Sequence, residues 1–121
     1  MPPTAPSCPD AADFAPGQAV AVITTIDDGE QARAMARALV ERRLAACVQI
    51  STIESVYRWD GAVVAGQEWR LSCKTRGALC RRLQEAIRAL HSYDVPELHV
   101  ERLHAVDPAY AQWLQAETAA A

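Results

Sequence analysis

Residues 47–75 read CVQISTIESVYRWDGAVVAGQEWRLSCKT, and the reading of this stretch decides the fold. Val48, Ile50, Ile53, Val56, Tyr57 and Trp59 form a long β-type run that ends at Asp60-Gly61, a dipeptide suited to a two-residue type I′ turn. Beyond the turn, Trp69, Leu71, Cys73 and Thr75 alternate with Glu68, Arg70, Ser72 and Lys74, the period of a strand with two unlike faces. In the first arm the alternation changes phase between Ile50 and Ile53, which predicts a β-bulge near Ser51–Thr52. Two arms of about a dozen residues reach roughly 40 Å at ~3.3 Å per residue. A domain of this size is only about 25–30 Å across. The hairpin is therefore expected to overhang its own core, and arms rich in Val, Tyr and Trp call for cover from another chain.

Upstream of the hairpin, AVAVITTI at 19–26 is a short β-branched run, as expected of a strand buried on both faces. Asp27 with Glu30 suits a capping box. Behind it Ala32, Met35, Ala36, Leu39 and Val40 fall on one stripe of a helix, with Arg33, Arg37, Glu41 and Arg42 on the wet side. Downstream, a second helix is expected from Gly77 to Leu90, with Leu79, Leu83, Ala86, Ile87 and Leu90 on one face. Pro96 stops it, and ELHVERL supplies a last strand. Asp107-Pro108 then opens a short terminal helix with Tyr110 and Trp113 on one side. The order β-α-β-β-α-β plus a C-terminal helix predicts an α+β, ferredoxin-like domain: an antiparallel sheet with both main helices on one face. The other face is expected to be apolar and to need a partner.

The length of 121 residues fits one domain, placed at 18–117 between an N-terminal tail (1–17, expected to be disordered) and a C-terminal tail (118–121). A net charge of −3 argues against a nucleic-acid partner. The RNP aromatics of an RNA-binding ferredoxin-like module are also missing. The cysteines at 8, 47, 73 and 80 contain no CxxC pair and match no zinc module, so Cys73 and Cys80 read as small buried hydrophobes. Neither a secretory h-region nor a run of about 18 apolar residues is present, so no membrane association is expected and the cytoplasm is the expected location.

Several stretches together resemble the CutA family of divalent-cation tolerance proteins. They are ITTIDD at 23–28, ALVERRLAACVQI at 38–50, SVYRWDG at 55–61, EWRLSCKT at 68–75, LHSYDVPEL at 90–98 and AYAQWL at 109–114. The resemblance spans about residues 19–116. It implies a homotrimer in which long hairpins exchange edge contacts, and a role in tolerance to copper and other divalent cations. It assigns no reaction, so no enzymatic activity is expected. Copper-binding bacterial relatives carry a cysteine in the first strand and two adjacent histidines ending the second helix. Here those positions are Thr24 and Leu90-His91, which leaves His91 as the candidate metal ligand. Thr24 offers neither the thiolate nor the imidazole that copper favours. The resemblance also groups Cys47, Trp59, Lys74, Tyr93 and Glu97 as the lining of a cleft between subunits. Two readings of that group stay open: plain packing with a Lys74–Glu97 ion pair, or a small-ligand pocket with Lys74 as its charge. Cys47 has no partner base identifiable from the sequence, which leaves nucleophilic catalysis without support. The expected function is weak divalent metal (copper) binding at inter-subunit sites; the alternative is a trimeric small-ligand sensor or scaffold close in topology to the PII signalling proteins. His99 and His104 carry no assignment.

Overall fold

The computed structural model describes residues 14–118. The chain runs β1 (Ala19–Ile26), α1 (Gly29–Glu41), β2 (Cys47–Trp59), β3 (Ala62–Arg76), a 3₁₀ turn (Gly77–Leu79), α2 (Cys80–Leu90), β4 (Leu98–Arg102) and α3 (Pro108–Glu117). The strands form one antiparallel sheet in the order β2-β3-β1-β4. With three α-helices this gives the expected α+β architecture.

The β-branched run 19–26 takes the centre, where every residue is buried. Val20, Val22 and Ile26 point to the same side as Leu71 and Cys73, and there they join Met35 and Leu39 of α1 and Leu83 and Ile87 of α2 in one core. Full burial of each such aliphatic side chain contributes about 1.5–3 kcal/mol. The stripe on α1 holds at Ala32, Met35 and Leu39, while Val40 is exposed; on α2 it holds at Leu83 and Ile87, while Leu90 is exposed.

Four local expectations need correction. The cap of α1 is Asp28, whose Oδ1 accepts from the Gln31 N–H at 2.9 Å, and the Asp27–Glu30 box does not form. Asp27 stays outside the helix, close to Tyr93. The second helix starts three residues later than expected, because Gly77–Leu79 first closes a 3₁₀ turn. No bulge interrupts β2. Its register with β3 runs unbroken from Cys47↔Lys74 to Trp59↔Ala62. The phase change at Ile50–Ile53 has another cause: past Ile53 the arm has no core of its own beneath it, so burial within the chain does not set which face is apolar. Lastly, the sheet face opposite α1 and α2 is largely polar. Over the four-stranded part Ser51, Arg70, Ser72, Lys74, His99 and Glu101 share it, with Ala19, Ala21 and Ile23 buried within the chain; the exposed apolar residues of this face, Tyr57 and Trp59, lie out on the hairpin arm.

The overhang itself is present. β1 pairs with β3 only at residues 69–76, so residues 53–59 and 62–68 form a two-stranded arm reaching roughly 23 Å past the sheet at ~3.3 Å per residue. Asp60 (φ 52°) and Gly61 (φ 77°) close it, and positive φ at both central positions is the mark of a type I′ turn. Val56, Trp59 and Val63 on this arm are exposed.

Residues 14–17, assigned above to the tail, pack on the domain. Phe14 lies against the core and stacks with Arg102 at 4.8 Å, and the Ala78 N–H donates to the Pro16 carbonyl. A Cβ on Gly77 would collide with the Ala15 carbonyl, so glycine is what lets this segment approach. The rest of the expected tail, including Cys8, lies outside the described residues. At the other end Thr118 is buried and caps α3, and 119–121 lie outside the described residues.

Candidate functional site

One groove brings together three of the residues singled out above. Trp59, Tyr93 and Glu97 line it with Thr25, Asp27, Glu54, Ser55, Val56, Tyr57, Glu68, Asp94 and Val95, around a volume of ≈ 790 Å³. One wall is the overhanging hairpin. By the register and strand alternation, Tyr57 and Trp59 share a face with Glu68, opposite Ile53. The other wall is the segment 91–97, and two partly buried anchors hold it to β1. Thr24 Oγ1 donates to the Glu97 carbonyl at 2.7 Å. His91 Nδ1 accepts the Tyr93 N–H at 3.1 Å, which makes Nε2 the protonated nitrogen, and Nε2 donates to the Thr25 carbonyl at 2.8 Å. The His91 and Tyr93 rings also pack at 4.7 Å.

The groove is electrostatically one-sided. Asp27, Glu54, Glu68, Asp94 and Glu97 are among the lining residues, and none of the lining residues is Lys or Arg. Tyr93 reports that field. Its hydroxyl donates to Glu68 Oε2 at 3.4 Å. Burial, then the charges of Asp27 and Glu68, then Tyr57 and a hydrogen bond with Asp27 push its phenol above the ordinary tyrosine range.

Cys47 and Lys74 are elsewhere. They face each other across β2 and β3, and Lys74 Nζ sits 5.9 Å over the Tyr110 ring of α3. Within one chain Lys74 is thus separated from Glu97, whose carboxylate instead lies 3.5 Å from His99 Nδ1. His99 also meets Glu101 at 3.2 Å, and Glu101 meets Arg70 at 3.7 Å, which makes a surface charge row. His104 follows the end of β4.

The donor set at Thr24 and Leu90-His91 does not suit copper within a single chain. The Thr24 hydroxyl is spent on Glu97, both His91 nitrogens are engaged, and Leu90 offers no donor. Among the described residues no three His, Cys, Asp or Glu side chains converge as a metal-binding set. No described helix is long and apolar enough to cross a membrane.

Sequence reading passed over Asp27, Glu54, Tyr57, Glu68 and Asp94. Their common signal, acidic and aromatic residues spread over three distant segments, appears only once the hairpin folds over 91–97.

Comparison with known proteins agrees with this architecture. The family described as "CutA1 divalent ion tolerance protein" matches residues 20–117. The Divalent-cation tolerance protein CutA of Thermus thermophilus is 43% identical over 98 residues, covering 80% of this chain and 95% of that protein. Among solved structures, CutA from Synechococcus elongatus PCC7942 superposes with a TM-score of 0.82 at 35% identity, over 85% of this chain and 92% of that one. The periplasmic divalent cation tolerance protein CutA from Archaeoglobus fulgidus gives 0.79 at 27% identity, over 82% and 97%. With nearly all of the described domain matched in sequence and in fold, the chain belongs to the CutA1 family of divalent ion tolerance proteins.

Proposed function

We propose that this chain is a homotrimeric, ferredoxin-like divalent-cation tolerance protein that binds metal ions such as copper weakly, at sites between subunits. The observation that carries this reading is a groove whose lining includes five acidic residues and no Lys or Arg, set against a hairpin that leaves its own core. Carboxylate oxygens are ligands for divalent cations, and a neighbouring copy resting on the arm would narrow the groove and add donors. Here the metal is cargo and not a resident cofactor. A non-enzymatic role and a cytoplasmic location belong to the same proposal; cell fractionation checks the location.

Titration calorimetry with Cu²⁺ and Zn²⁺ tests the binding, on the wild type, Glu68→Gln and His91→Ala. Heats that weaken in Glu68→Gln support the groove as the site. Negligible heats in all three proteins would count against direct binding. Sedimentation tests the assembly: the proposal expects a particle of roughly three times 13.2 kDa. The alternative is a trimeric small-ligand sensor or scaffold whose cleft between subunits uses Lys74 as its charge; within one chain Lys74 lies against Tyr110, so that cleft would need a neighbouring copy.

A further inference from the structure

We propose that residues 14–18 form a detachable strap that caps the start of α2 and gates the buried thiol of Cys80. Every contact it uses lies within one chain, so the strap stands apart from the trimer proposal and from the groove. Residues 14–18 precede the matched span 20–117, so the family assignment does not cover them.

The three helices do not begin alike. In α1 and α3 an aspartate, Asp28 or Asp107, accepts a backbone N–H of the first turn. Neither the 3₁₀ turn at Gly77–Leu79 nor α2 has a side-chain cap. The first turn of α2 also lacks an acidic residue and carries Arg81 and Arg82, positive charge at the positive end of the helix dipole. Backbone carbonyls of the strap fill the gap. The Gly77 N–H donates to the Gln18 carbonyl at 2.8 Å, and the Ala78 N–H donates to the Pro16 carbonyl at 3.1 Å. Gln18 Nε2 in turn donates to the Leu103 carbonyl at 3.2 Å, which ties the same corner to the end of β4. The start of α2 is thus held by a segment far away in the sequence.

The strap fits closely but is lightly held. A Cβ on Gly77 would meet the Ala15 carbonyl oxygen and, at 3.0 Å, the Phe14 Cβ, so the strap lies directly on this corner. Ahead of Gln18, the half-buried Phe14 ring rests on the core and on Arg102, and Pro16 supplies its one carbonyl bond. Fixing four residues costs about as much as contacts of this kind return, so the strap can open without unfolding the domain. Beneath it lies the cluster that Phe14 packs against, which includes Cys80, fully buried and the first residue of α2. When the strap leaves, the first turn of α2 loses its acceptors and the Cys80 thiol meets solvent. Cys73 is set differently. It sits inside the ladder between Val22 and Val48 and stays buried when only the strap opens.

The test is amide hydrogen exchange and a timed iodoacetamide pulse on the full chain, both read by peptide mass spectrometry. The proteins are the wild type, Phe14→Ala, Phe14→Leu and Gly77→Ala. Phe14→Ala and Gly77→Ala should each speed exchange at Ala78 and in the first turn of α2, and alkylation of Cys80, by about 5- to 30-fold, the scale of losing one or two such contacts. Phe14→Leu should fall between the wild type and Phe14→Ala. Amides of α1 and alkylation of Cys73 should not change. If Gly77→Ala does not fold, the two Phe14 variants carry the test. Equal acceleration at Cys73 and Cys80 means that the core opens as a whole, which overturns a local strap. Acceleration in Gly77→Ala alone means that the corner itself is disturbed, and it overturns the proposal too. So does unchanged exchange at Ala78 in Phe14→Ala.

Discussion

His91 Nε2 lies 2.8 Å from the carbonyl oxygen of Thr25, while its Nδ1 takes the Tyr93 N–H. The histidine at the end of α2 thus works as a clasp between the central strand and the groove wall, and binding a metal through either nitrogen would open that clasp. The same contact accounts for a polar, partly buried residue at the C-cap of α2.

His91→Ala removes both bonds. Stability should fall by about 1–3 kcal/mol, because two partly buried backbone groups lose their partner. Hydrogen exchange at the Tyr93 amide should accelerate more than at amides of α1. Unchanged exchange at Tyr93 would show that the clasp does not hold segment 91–97.

Arg43 follows α1 with φ 60°, where Leu44 N–H reaches Leu39 O at 3.1 Å and Arg43 N–H reaches Val40 O at 2.9 Å, a Schellman ending without glycine. Its guanidinium donates to the carbonyls of Ala116 (2.6 Å) and Glu117 (3.3 Å) at the end of α3. Arg43→Ala keeps the left-handed backbone and loses the tie. Arg43→Gly loses the tie but removes the left-handed penalty of about 1 kcal/mol. Chemical denaturation should therefore rank wild type, Gly and Ala in falling order, with Gly above Ala by about 1 kcal/mol. The reverse order of Gly and Ala would contradict the assigned backbone geometry.

Because the folded Tyr93 phenol titrates above its unfolded value, folding favours its protonated form. The associated stability is fully present below about pH 10 and is lost as pH rises through the higher folded value. Buried Cys73 behaves alike, its thiol pushed up to about 12 by burial first and by Cys47 second. Difference absorbance at 295 nm between wild type and Tyr93→Phe isolates this tyrosine. In Asp27→Asn the transition should move to lower pH, since a charge that opposes ionisation is gone. A transition near the ordinary value in both proteins would mean that the carboxylates do not act on the phenol.

Trp59 and Trp113 are 66% and 43% exposed in one chain. Under the trimer proposal each is covered by a neighbour. Replacement by alanine should then cost about 3–5 kcal/mol per subunit, the scale of a core aromatic truncation. In a monomer the cost stays within about 0.5 kcal/mol, as for other surface changes. Thermal unfolding at several protein concentrations separates the two, because only an assembly gains stability with concentration.

Much of the fold was legible because its signals are local. Asp60-Gly61 encodes its own positive φ angles, Asp107-Pro108 encodes a cap that accepts from Tyr110 N–H at 3.2 Å, and the run 19–26 encodes a buried strand. Errors arose where a local pattern met a non-local constraint. The phase change between Ile50 and Ile53 predicts a bulge, yet the ladder is unbroken and it is the core beneath the arm that ends. Asp27 and Asp28 are equivalent as caps in the sequence, and only the path of the chain past Tyr93 separates them.

By itself, the sequence determined the element order, the overhanging hairpin and the membership of the core, since apolar periodicity and turn chemistry act over a few residues. Only the tertiary structure decided that Trp59, Tyr93 and Glu97 face one acidic groove, and that Lys74 lies apart from it beneath Tyr110. Those neighbours come from segments dozens of residues apart. Their meeting is set by strand register and by the two anchors at Thr24 and His91, and no periodicity in the chain records it.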